Sequence, residues 1–94
     1  MAWRIKTKKS AMKFLKSLPI KRQKVLRSKL ETLLYALENS IPPHQMPGLD
    51  IKKLQGYRNR FRIRVGDLRI IVEINVEERT VLVTAAGKRE NIYQ

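Results

Sequence analysis

The sequence predicts a single α+β domain: an N-terminal strand, a helical hairpin, then an antiparallel β-meander. Three observations predict it. Residues 3–8 alternate in character, leucines recur at helical spacing further on, and four short β-like runs fill the second half. The 94 residues suffice for one domain, 1–94, with one modest core.

The first strand places Trp3, Ile5 and Thr7 on one side and Arg4, Lys6 and Lys8 on the other. Ser10 is the expected N-cap of a short helix in which Ala11, Phe14, Leu15 and Leu18 share a face. Pro19 interrupts that helix and suits the start of a second one. There Leu26, Leu30, Leu33, Leu34 and Leu37 form one apolar stripe. Residues 39–48 hold three prolines and a glycine and read as a loop. Of the four runs that follow, 51–55 reads as a strand or the approach to one. Residues 58–65, 68–75 and 80–86 read as strands. Their short links imply antiparallel neighbours, with the helices covering one face of the sheet.

Twenty-one Lys and Arg against eight Asp and Glu give a net charge of +13. Self-repulsion of that size is relieved by a polyanion. Nucleic acid is the first candidate, because each phosphate contact releases counterions. An anionic membrane surface and an acidic protein follow. The absence of cysteine excludes thiolate metal sites and a cysteine nucleophile, and it favours the cytoplasm. No signal-peptide pattern and no apolar run of membrane-spanning length is expected.

The hairpin carries the most information. Phe61, Ile63 and Val65 share one face of their strand, and Arg60, Arg62 and Arg64 share the other. A two-residue turn at Gly66-Asp67 pairs Val65 with Leu68, Arg64 with Arg69, and Ile63 with Ile70. Apolar side chains then meet apolar ones, as a consistent register requires. Arg60 falls opposite Glu73. Arg64 falls opposite Arg69, and like charges across a ladder repel. An anion between them would resolve the conflict, and guanidinium forks suit phosphate. The alternative is a solvated arginine face. Arg62 extends the patch. The segment 87–94 adds an arginine and a tyrosine, suited to a phosphate and an unpaired base, or else a polar terminus. Lys52 and Lys53 are further phosphate candidates. His44 reads as a surface histidine. No metal-ligand spacing, phosphate-binding glycine loop or Ser-His-Asp pattern is present.

On these residues the chain resembles toxins of the RelE/ParE superfamily, closest to the RelE type. The resemblance rests on the element order and on Lys53-Leu54-Gln55-Gly56. It also rests on the hairpin from Phe61 to Arg69, and on Gly87-Lys88-Arg89-Glu90 followed by Ile92-Tyr93. It implies a microbial-RNase-like fold and a ribosome-dependent mRNA endoribonuclease acting in the A site. In RelE toxins the 2′-hydroxyl attacks the adjacent phosphate without a metal, so no cofactor is implied.

By motif, Arg62 and Arg64 fall where RelE has lysines that act on the 2′-hydroxyl and the phosphate. Arg69 falls on the arginine that steadies transition-state charge. Arg89 falls on the arginine that binds phosphate and assists the leaving group, and Tyr93 on the tyrosine that stacks on the nucleotide. Lys52, Lys53, Arg60 and Lys88 are the expected supporting RNA contacts. Arginine stays protonated near neutral pH, so Arg62 can stabilise charge but cannot take a proton. Tyr93, Glu90 and an rRNA group are the remaining candidates for the base. The expected partners are a RelB-like acidic antitoxin, mRNA and the ribosome, with no membrane and a monomeric free toxin. A ParE-like gyrase inhibitor and a non-catalytic RNA- or ribosome-binding member of the fold are the alternatives.

Overall fold

A computed structural model gives the element order β1 (Arg4–Thr7), α1 (Lys9–Lys16), α2 (Ile20–Glu38), β2 (Asp50–Lys53), β3 (Arg60–Val65), β4 (Leu68–Asn75) and β5 (Thr80–Lys88). A short 3-10 turn, Pro43–Gln45, lies in the proline-rich loop. The structure describes residues 2–88. The five strands form one sheet in the order β1-β5-β4-β3-β2. β2 to β5 are the expected meander, whereas β1 pairs with β5 in parallel, so the sheet is mixed.

This order explains where the helices lie. β1 and β2 are the two edges, about 19 Å apart across four strand spacings. The chain crosses that width between them. α2, with 19 residues and a length of about 28 Å, can bridge it. The leucine stripe faces inward: Leu26 and Leu33 are buried in the core with Ile63, Leu68, Ile70, Val72, Val81 and Val83. Leu30, Leu34 and Leu37 flank them. One face of the sheet is thereby covered, and the other carries mostly polar side chains around the buried Ile71.

The expected Ser10 cap is not made. α1 begins at Lys9 with Lys8 at the cap position and no side-chain cap. The Lys8 amide donates to the Val83 carbonyl at 2.9 Å, and the Lys8 carbonyl accepts from Met12 at 2.9 Å. The sheet therefore fixes the helix start, one residue ahead of the serine. At the other helix end, Ile41 donates to Ala36 and Ser40 to Leu37, the paired bonds of a Schellman motif. Ser40 sits at φ 56 in the position usually given to glycine.

The hairpin has the expected register, from Arg60↔Glu73 to Val65↔Leu68. Gly66, the first central residue of the turn, has φ 61, as a type II′ turn requires. β3 starts at Arg60 rather than 58, because Gly56 (φ 83) turns the chain back from β2. β5 carries a feature the alternation did not reveal. Its register with β4 shifts between Ile71 and Val72, and Thr84 is the extra residue of a bulge. Its hydroxyl donates to the Ile71 carbonyl at 3.3 Å.

Candidate nucleic-acid interface

The face of the sheet away from the helices collects the predicted arginines. Arg60, Arg62 and Arg64 alternate with the inward Phe61, Ile63 and Val65 on β3, and Arg69 stands beside them on β4. On the edge strand, Asp50 pairs with Arg64 and Lys52 with Arg62, so both share this face. Lys53 pairs with Phe61 and therefore belongs to the helix-side face. Lys88 pairs with Leu68 and has the same helix-side phase. The structure thus gathers Lys52, Arg60, Arg62, Arg64 and Arg69 and separates Lys53 and Lys88 from them. Arg89, Glu90 and Tyr93 lie outside the described residues.

Each gathered arginine has a distinct environment. Arg60 Nε donates to Glu73 Oε2 at 2.8 Å, and its Cζ lies 4.6 Å from the centroid of the Tyr57 ring. Arg62 is the most enclosed of the three on β3, its side chain 12% exposed. Its Nη2 donates to Asp50 Oδ1 at 3.3 Å, while its buried Nε has no hydrogen-bond partner. An unpartnered buried donor is costly, the more so on a charged group. Arg64 is about half exposed, with Nε 3.9 Å from Asp50 Oδ2. Arg69 Nη1 donates to the carbonyls of Gly66 at 3.1 Å and Leu68 at 3.0 Å.

The predicted conflict between Arg64 and Arg69 is real in register and resolved in geometry. The two guanidinium groups turn apart, one towards Asp50 and the other onto the turn carbonyls. Asp50 occupies part of the role expected of an external anion. Sequence reasoning missed it because its place depends on the β2–β3 register, which no local pattern in 50–53 encodes. The same holds for Arg4 and Lys6. Through Arg4↔Thr80 and Lys6↔Leu82 they add two cations to this face at the far edge.

The patch can bind an anion in two ways. Arg62 and Arg64 leave β3 two residues apart, about 7 Å along the strand, and their guanidinium groups converge on Asp50, so an anion in its place meets both. Arg69 reaches the same face from the neighbouring strand. Because Asp50 is about half exposed, a phosphate can displace it without opening the core. Among the described residues no group of three or more His, Asp or Glu could hold a metal ion. No described helix is long and apolar enough to cross a membrane.

No family model matches the chain. Individual proteins do. Toxin RelE3 of Methanocaldococcus jannaschii is 35% identical over 68 residues, which are 72% of this chain and 74% of that protein. The RelE–RelB complex from Pyrococcus horikoshii contains a chain that superposes with a TM-score of 0.75 at 26% identity. The match covers 97% of this chain and 99% of that one. A chain in the RelB–RelE antitoxin–toxin complex from Methanococcus jannaschii superposes at 0.61 with 32% identity, covering 94% of each.

Proposed function

The chain belongs to the RelE family of toxins, and from that premise we propose that it is a ribosome-dependent mRNA endoribonuclease of a toxin–antitoxin pair. The scissile phosphate binds at Arg62, Arg64 and Arg69, and the 2′-hydroxyl of the preceding ribose attacks it. The products are a 2′,3′-cyclic phosphate and a 5′-hydroxyl. Arg89 steadies the charge on the leaving 5′-oxygen, which takes its proton from water, and Tyr93 stacks on the nucleotide. Lys52 adds charge beside Arg62. The candidates for the group that takes the 2′-hydroxyl proton are Asp50, Glu90, Tyr93 and an rRNA group.

The observation that carries this reading is Arg62. Its Nε is buried without a partner on a face where Arg60, Arg64 and Arg69 stand around it. A phosphate oxygen that takes the place of Asp50 and reaches in beside the guanidinium would satisfy that donor. Arginines fixed before the substrate arrives stabilise developing charge without reorganising, which is usually the largest catalytic contribution. The complexes formed by similar RelE chains with RelB support a RelB-like partner. An acidic antitoxin would cover the same cationic face and block it.

The test uses purified protein, translating ribosomes and a defined mRNA. Wild type should release fragments with 5′-hydroxyl ends, and Arg89→Ala should abolish cleavage while keeping the wild-type melting temperature. Intact mRNA after incubation with wild type would refute the proposal. Intact mRNA together with gyrase-dependent DNA breaks on induction would favour a ParE-like activity instead.

A further inference from the structure

Arg60, an expected RNA contact, is engaged within the fold by Glu73 and Tyr57. Its Nε is bound at 2.8 Å to Glu73, whose side chain is 26% exposed. That carboxylate balances the cation within the fold and leaves it a weak ligand for phosphate. The guanidinium plane is instead stationed over Tyr57, 4.6 Å from the ring centroid. Tyr57 is nevertheless 49% exposed. A ring needed only to brace the start of β3 gains nothing from so much open surface.

We propose that Tyr57, held by Arg60 and Glu73, is a stacking platform for an unpaired RNA base next to the phosphate bound by Arg62 and Arg64. The inference rests on the RNA-binding reading and extends the same face by one nucleotide position. Arg60 precedes Arg62 by two residues on the same side of β3, about 7 Å along the strand. A single strand whose backbone follows the arginines therefore brings a neighbouring base to Tyr57. Every base has a π-face, so the contact tolerates sequence and adds affinity. A duplex keeps its bases stacked internally and cannot use it. The cation–π contact holds the ring before RNA arrives, which lowers the ordering cost of binding.

The experiment measures binding of the full chain to an unstructured oligoribonucleotide, 2′-O-methylated so that it cannot be cleaved, and to an RNA duplex of equal length. Tyr57→Leu should weaken single-strand binding about fivefold or more. It should leave duplex binding and the salt dependence unchanged. Tyr57→Trp should bind the single strand at least as tightly as wild type. If Tyr57→Leu fails to fold, Tyr57→Trp still decides, because weaker binding by the larger ring overturns the platform. Equal loss on single strand and duplex also overturns it, since that marks a structural role. Wild-type affinity in Tyr57→Leu, with binding lost in Arg64→Ala, overturns the platform and leaves the RNA reading intact. If wild type binds neither RNA, the platform is overturned, and the endoribonuclease reading still stands or falls on the ribosome cleavage assay.

Discussion

Asp50 shows how one side chain can reset the meaning of a charged patch. It lies opposite Arg64 at the edge of the sheet and contacts both Arg62 and Arg64. In the free protein it therefore competes with any phosphate for those guanidinium groups. Exchanging it for Asn keeps its shape and removes its charge. Asp50→Asn should bind uncleavable RNA more tightly, by up to about fivefold, the scale of an exposed ion pair. Titration by fluorescence anisotropy at fixed salt checks this, and weaker binding would show that Asp50 supports the site instead of guarding it. The arginines themselves were legible in the sequence. Strict alternation on β3 and a glycine-led turn fixed their face and their register. Asp50 was not, because β2 is short and its pairing is set by the return through Gly56, at φ 83. The arginine row was readable from alternation on one strand, and the carboxylate that contacts it came from the tertiary structure.

At the level of elements, the pattern is the same: local rules were legible and long-range ones were not. The leucine stripe of α2 and the hairpin follow from periodicity alone. The parallel seat of β1 beside β5, the start of α1 at Lys9 and the bulge at Thr84 all depend on contacts between distant segments. Two junctions offer tests. Ser40 closes the Schellman motif at φ 56, a conformation that costs an L-residue on the order of 1 kcal/mol. Ser40→Gly should stabilise the protein by up to about 1 kcal/mol, read as a rise in Tm of a few degrees. No rise would mean that the greater freedom of unfolded glycine cancels the relief. The second junction is the ion pair from Arg22 on α2 to Asp67 in the hairpin turn. The hydrogen bond from Arg22 holds the Asp67 carboxyl below its ordinary pKa. A carboxyl depressed on folding stabilises above its unfolded pKa and loses that contribution as pH falls through the folded value. Asp67→Asn should therefore melt slightly below wild type at neutral pH, and the two should converge in strong acid. A gap that persists in acid would assign the loss to the turn conformation rather than the charge.

For the whole molecule, the +13 charge both opposes folding through self-repulsion and attracts a polyanion. The ion pairs of Arg60, Arg62 and Arg64 use Glu73 and Asp50, so acidic residues are already committed on the very face that carries the arginines. The charge predicts two opposite responses to salt. Self-repulsion acts between exposed cations separated by distances comparable to the Debye length, about 8 Å at physiological ionic strength. Added salt screens it, so the Tm of the isolated protein should rise as salt increases. Binding to RNA runs the other way, because counterion release makes log K fall linearly with log salt. RNA at low salt should therefore raise the Tm by preferential binding to the folded state, and that increment should shrink as salt rises. The two curves, with and without RNA, should converge at high salt. A Tm that falls with salt in the free protein would mean that its few ion pairs outweigh the excess positive charge. An RNA-induced increment that survives high salt would mean that stacking and buried hydrogen bonds, rather than phosphate neutralisation, dominate the interface. That second outcome would move the weight of recognition from the arginine row towards the Tyr57 end of the sheet.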